Sequence, residues 1–347
     1  MRIVVVGATG NLGTALLTRL QSEPAVTQIV GVARRVPNTA AAPYSAVEWH
    51  PLDIADDRAT ERLATVFAGA DAVVHLGWAL QPNRDEATLW RTNVTGTRAI
   101  LAAVARAGVP HILAASSVGA YSAGPKHRRV DENWPTGGLH TSHYSRHKAV
   151  NERAFERFEA ENPGVRVTLM RPGLVFQRRA AAELHGLFLG PLLPTGWLGL
   201  IRPPVVPLPV QTIFQAVHAS DVADAFCRAI DRREAGAFNL AAEPVLTPPL
   251  IAEALGASRS VPVRLAAARL LVWATWKLRL QPTDPGWIDI AAGVPVMSTE
   301  RARTVLGWSP QVSATDALAE VVQGLADGSR VMASPPLSGQ HSPRSRG

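Results

Sequence analysis

The sequence predicts an α/β fold, a doubly wound parallel sheet with a small discontinuous substrate domain, and three observations carry that expectation. Short apolar runs without alternation recur along the first half of the chain, as parallel strands covered on both faces require. Most are followed by a stretch with apolar residues at helical spacing. Where the first run meets the first helix, in MRIVVVGATGNLGTALLTRL, three glycines punctuate the junction.

Residues 3–6 form the first expected strand, and Leu12, Leu16, Leu17 and Leu20 mark the helix after it. Gly7, Gly10 and Gly13 lie between them, with Thr9, Asn11 and Leu12 in the same turn. Such glycines permit a tight turn, close approach of backbone to a pyrophosphate and close helix packing, with the helix N-terminus facing the phosphate charge. The junction therefore reads as a dinucleotide-binding turn. Residues 28–32 read as the second strand, whose end normally reads the adenosine ribose. An NAD enzyme places an acid there, whereas this chain has Arg34 and Arg35. Guanidinium groups pair with a 2′-phosphate that a carboxylate would repel, so NADP is the favoured cofactor and NAD stays open.

A third strand is expected over residues 47–50, followed by Asp53 and a helix over 58–68. The fourth strand, residues 71–76, delivers Gly77, Trp78 and Ala79 to the carboxyl edge, where ligands bind in such sheets. A long helix over residues 85–108 contains Asn93. The fifth strand, residues 111–116, ends in SSVGAY, where Ser116 and Ser117 cap nothing obvious and a hydroxyl suits substrate contact. Downstream, YSRHK opens a helix that runs to residue 161 and puts Tyr144 and Lys148 on one face. A phenol of pKa about 10 is a poor acid–base group until a nearby cation favours its ionised form. Carbonyl reduction needs such a group, because hydride arriving at carbon leaves an alkoxide that must take a proton. Residues 165–170 form a sixth strand, ending at Arg171, Pro172 and Gly173.

Composition narrows the partners. With 347 residues, 47% hydrophobic and 18% charged, the chain can bury a full core. Three of its seven net positive charges lie in residues 329–347, and the remaining +4 is too diffuse to argue for nucleic acid. A single cysteine, Cys227, excludes an internal disulfide and suits a reducing cytoplasm. No secretory signal is read, and no histidine and acid cluster has metal-ligand spacing, so no metal is assigned.

Beyond residue 175 the pattern loosens. FLGPLLPTGWLGLI, with no charge between Gly186 and Ile201, is read as a substrate-covering loop or a plain packed connection, its glycines and prolines forbidding a regular membrane helix. HASDVADAF puts Asp221 at the cap of another helix, and residues 236–241 give a further strand. The helix over 265–280 is too interrupted by charge to span a bilayer. Core packing or a pocket wall is its expected role, with peripheral contact to a membrane surface the lesser alternative. After a closing helix over 313–327, the tail from residue 329 is expected to be disordered.

The glycine turn, SSVGAY, YSRHK and RPG resemble, in order and approximate spacing over residues 1–325, the extended short-chain dehydrogenases, the superfamily of NAD-dependent epimerases and dehydratases. The resemblance implies a Rossmann-type domain over residues 1–175 with 212–242 returning to it. Residues 176–211 and 243–328 would then bind substrate. It implies that Asp53 contacts the adenine amine, that Gly77 and Trp78 line the cofactor, that Asn93 is a structural asparagine and that Pro172 lies beside the nicotinamide. Ser117 would orient the carbonyl oxygen, Tyr144 act as acid–base, and Lys148 bind the nicotinamide ribose while tuning the tyrosine. A homodimer through the helices 85–108 and 144–161 is also implied. Trp78 departs from the small residue usual in sugar-nucleotide enzymes, and Gln177, Arg178 and Arg179 stand where many relatives have glycine. The expected activity is NADP-dependent hydride transfer on a carbonyl or alcohol of a lipophilic small molecule. A nucleotide-sugar epimerase or dehydratase holding NAD is the alternative, and a non-catalytic redox sensor is a third reading that the tyrosine and lysine disfavour.

Overall fold

Seven parallel strands form the central sheet in a computed structural model that describes residues 1–81, 83–189 and 203–339. They are β1 (Arg2–Val6), β2 (Gln28–Ala33), β3 (Glu48–Pro51), β4 (Ala72–His75), β5 (His111–Ala115), β6 (Arg166–Pro172) and β7 (Gly236–Leu240), ordered β7-β6-β5-β4-β1-β2-β3. Ile3 pairs with both Ile29 and Ala72, so β1 lies at the centre, where the strand order reverses. Its apolar run has no exposed face: Ile3, Val4 and Val5 are fully buried, as the absence of alternation requires.

Helices cover both faces. On one, α1 (Asn11–Leu20) packs Leu16, Leu17 and Leu20 with Val222, Phe226 and Ile230 of a later helix, Ala219–Arg232. On the other, α2 (Ala59–Phe67), α3 (Gly96–Ala107) and α4 (His143–Glu161) contribute Leu63, Phe67, Ile100, Val104, Phe155 and Phe158. Each such side chain contributes roughly 1.5–3 kcal/mol when removed from water. Labelling continues with α5 (Ala219–Arg232), α6 (Leu265–Lys277), α7 (Gly286–Gly293) and α8 (Ala314–Ala326).

Four sequence expectations are corrected. The single helix over 85–108 is a short helix, Glu86–Trp90, a π-turn, Arg91–Thr95, and then α3. Here the Asn93 carbonyl accepts from Asn151 Nδ2 and from Thr97 Oγ1, both at 2.7 Å, which draws it out of the regular ladder. Asp221 does not cap α5. The cap is His218, whose ring accepts from Ser220 N–H, while the Asp221 carboxylate accepts from Val312 N–H at 3.1 Å.

The helix expected in the core or a pocket wall, α6, buries none of its residues. Finally, the tail expected to be disordered is packed as far as residue 339, and residues 340–347 lie outside the described residues. Ser334 and Leu337 are fully buried, Ser334 Oγ donates to the Thr9 carbonyl at 2.7 Å, and Asn38 N–H donates to the Ala333 carbonyl at 2.9 Å. A strap thus lies over the glycine turn and the loop after Arg34 and Arg35. Composition could not show this, because a few buried side chains hold it. Of the proposed substrate-covering run, Leu187 is described, its carbonyl accepting from Gln81 Nε2, and residues 190–202 lie outside the described residues.

Candidate active site

The site forms at the carboxyl edge of the sheet, around the point where strand order reverses. Gly7 leaves β1 with φ +84°, and a Cβ there would stand 2.6 Å from Gly77 N, so only glycine lets the ends of β1 and β4 meet. At Gly13 a Cβ would stand 2.4 Å from the Gly7 carbonyl oxygen, which presses α1 against the turn. Gly10 is the N-cap of α1 and supplies no side-chain acceptor, so the first amides of the helix face the turn without a cap. Leu12 packs against the core, and Asn11 is tied by Gln177 and the Val175 carbonyl. Arg34 and Arg35 are exposed just beyond β2, and the Asp53 side chain accepts from Ala55 N–H at 3.0 Å.

Asn93 acts on the site through backbone. Its amide accepts from Ala79 N–H at 2.7 Å and donates to the Ala79 carbonyl at 2.8 Å, pinning the segment that carries Gly77 and Trp78. Pro172 is buried at the end of β6.

Ser142 caps α4, placing Tyr144 in its first turn and Lys148 one turn later. Contrary to the sequence expectation, both serines after β5 are engaged: Ser117 caps the turn Val118–Ala120, accepting from Gly119 N–H at 3.0 Å, and Ser116 donates to Glu152. The Ser117 hydroxyl lies close enough to the Tyr144 phenol to favour its ionised form. Ser117, Tyr144 and Lys148 therefore gather at one edge: the spacing predicts the last two together, and the family resemblance implies the first. Trp78 stands edge-on to Tyr144, ring centroids 5.5 Å apart, and Trp287 from α7 lies 4.9 Å from it on a tilted ring.

The electrostatics depart from expectation. Lys148 does not depress the tyrosine: burial pushes the phenol up to about 12, with the Ser117 hydroxyl working the other way. The ammonium sits 3.7 Å from the Trp78 ring centroid and 5.8 Å from that of Tyr144, and donates to the Ala115 carbonyl at 2.7 Å. Burial draws its pKa down to about 7, and Glu152 opposes that shift. Below this core runs a network that sequence reading missed. Glu152 forms a two-pronged pair with Arg171 at 2.9 and 2.8 Å, Arg171 donates to the Tyr121 hydroxyl, and Tyr121 donates to Asn239. Glu152 follows Lys148 by one helical turn, a spacing that does signal it.

Dinucleotide fit rests on two sets of donors. The uncapped amides of α1 suit a pyrophosphate, and the Trp78 indole N–H is buried with no acceptor among the described residues. No group of three metal-ligating side chains occurs among the described residues, and no described helix is long and apolar enough to cross a membrane.

Comparison with known proteins agrees with this fold. An uncharacterised protein of Mycobacterium tuberculosis is 27% identical over 320 residues, 92% of this chain and 29% of that one. The N-acetyl-α-D-glucosaminyl-diphospho-ditrans,octacis-undecaprenol 4-epimerase of Escherichia coli O157:H7 is 29% identical over 189 residues, 53% of this chain and 52% of that one. The chain thus spans about three tenths to one half of the length of these curated relatives. Two solved structures share the fold. UDP-glucose 4-epimerase of Thermotoga maritima, with UDP-glucose, has a TM-score of 0.68 at 20% identity, covering 94% of this chain and 99% of that one. The dTDP-glucose 4,6-dehydratase of Streptomyces venezuelae, with NAD bound, has the same score and identity, covering 94% and 97%. Residues 3–241 match the family model for the NAD-dependent epimerase/dehydratase family, and the chain belongs to that family.

Proposed function

We propose that this chain is an NADP-dependent oxidoreductase of the extended short-chain dehydrogenase type, acting on a carbonyl or alcohol of a lipophilic small molecule. The observation that carries the reading is Tyr144, buried beside Ser117 and in ring contact with both Trp78 and Trp287. Gly7, Gly10 and the first amides of α1 would hold the pyrophosphate, Arg34 and Arg35 the 2′-phosphate, and Lys148 the nicotinamide ribose. A bound nicotinamide would supply or accept the hydride. In reduction, Tyr144 gives its proton to the substrate oxygen as hydride reaches the carbon, and Ser117 orients that oxygen. In oxidation the same proton returns to Tyr144. Two indoles beside the phenol suit an apolar, ring-bearing substrate better than a diphosphate.

The cofactor assignment has its own test. Each charge-assisted hydrogen bond to the 2′-phosphate is worth roughly 1.5–3 kcal/mol. Replacing Arg34 and Arg35 by alanine should therefore weaken NADPH by about tenfold or more and leave NADH nearly unchanged. Equal effects on the two nucleotides in a fluorescence titration would refute the assignment.

A second reading, a nucleotide-sugar epimerase retaining NAD, is favoured by the activities of its named relatives. Sterol, terpenoid and aryl ketones should be assayed beside UDP- and dTDP-sugars, read by NADPH consumption and by epimer analysis. Turnover confined to the sugars would replace the first reading with the second.

A further inference from the structure

Helix α6 is apolar on both sides, and one of those sides faces outward. Ala266, Leu270, Trp273 and Lys277 recur along one side with Ala267 and Leu271 beside them, and all are exposed. Leu270 is 63% exposed, Leu271 65% and Trp273 45%, and Leu278 and Leu280 continue the surface at 69% and 47%. Ala268, Val272, Thr275 and Trp276 face the protein and are only half-buried. Exposed large side chains gathered on one helix call for a covering surface.

Charge selects that surface. From residue 254 to 283 the chain has no acid and five cations: Arg259, Arg264, Arg269, Lys277 and Arg279. Arg269 pairs with Asp289 at 3.0 Å, and the other four have no ion-pair partner among the described residues. Arg264 is the N-cap of α6, and Lys277 closes its last turn. A leucine and tryptophan face bounded by lysine and arginine is the composition of a helix lying in a lipid headgroup layer. Packing against a second copy about a twofold axis would bring these cations toward their own equivalents.

We propose that α6 is an interfacial anchor that docks this protein on an anionic lipid bilayer, with Leu270, Leu271 and Trp273 inserted and Arg264, Lys277 and Arg279 on the headgroups. Thirteen residues make a helix about 20 Å long, which lies on such a surface and does not cross it. The anchor is coupled to the candidate site. Arg84 stacks 4.5 Å from the Trp276 ring centroid, and Trp276 Nε1 donates to Asn83 at 3.2 Å, close in sequence to Trp78. The loop leaving α6 leads directly to Trp287. Docking would therefore hold the mouth of the site near the membrane surface.

The test is flotation with phosphatidylcholine vesicles, pure or containing about one third phosphatidylglycerol, at low and high salt. Wild-type protein should float with the anionic vesicles at low salt, much less at high salt, and not with pure phosphatidylcholine. Leu270→Glu with Leu271→Glu should lower the bound fraction by about tenfold or more, since apolar insertion contributes to interfacial binding. Nucleotide titration should be unchanged in that variant. Absence of flotation on anionic vesicles, or equal flotation by the variant, would overturn the proposal. So would a lipid-free light-scattering mass that falls from dimer to monomer in the variant, which would assign the face to a second copy.

Discussion

Tyr144→Phe is expected to lower turnover by roughly 10²- to 10⁴-fold, the range that a positioned proton donor contributes. Its nucleotide affinity should stay within about twofold, because the change removes one hydroxyl and leaves the ring contacts with Trp78 and Trp287 in place. The pH profile carries a second signature. With the phenol raised to about 12, the protonated donor persists through the whole neutral range. Reduction should therefore show no loss on the alkaline side below that value that arises from Tyr144. Ser117→Ala should cost less, since it removes one orienting hydrogen bond and leaves the proton in place. Full activity in the phenylalanine variant would move the acid role to another group.

Glu152→Gln is expected to destabilise the protein by roughly 3–5 kcal/mol, the cost of leaving a buried ion-pair partner without its counter-charge. Both side chains are almost fully enclosed, and Arg171 also holds Tyr121 and the Glu132 carbonyl. Against the roughly 5–15 kcal/mol that holds a typical domain together, such a loss is large and easily read from a denaturant midpoint. Replacing both partners, with Glu152→Leu and Arg171→Met, should recover part of the loss, because the pair's desolvation cost disappears along with its attraction. A loss under about 1 kcal/mol for the single change would mean that the pair is not enclosed as described.

The two predictions meet at one stretch of helix. Tyr144, Lys148 and Glu152 occupy successive turns on one face of α4. Tyr144 is the proposed proton donor, Lys148 the proposed ribose ligand, and Glu152 joins their helix to β6. The first two were legible in the sequence because their spacing is local and their chemistry distinctive. Glu152 shares the spacing, but its meaning depends on Arg171, which reaches it from a strand. The glycine turn was legible for a similar reason, since backbone geometry at Gly7 and Gly13 leaves little choice of residue. Trp287 was legible only as aromatic area in the substrate half, because its place against Tyr144 depends on the path of the tertiary fold. The π-turn was hidden because tertiary hydrogen bonds to the Asn93 carbonyl override helical propensity. Periodicity identified α6 as a helix but did not say which of its sides would meet the protein. The strap was hidden by composition: serine and proline predict little burial, yet Ser334 and Leu337 are enclosed.

That strap sets an order of events during synthesis. The link from Ser334 to the Thr9 carbonyl closes a loop of 325 residues. Thr9 in the glycine turn leaves the ribosome 325 residues before Ser334, which fastens the rim. The entropy of closing so long a loop grows only slowly with length. What delays the rim is therefore the wait for residue 334 to be made. A nascent chain can form β1, the turn and α1 before that, but until then the candidate nucleotide edge has no roof.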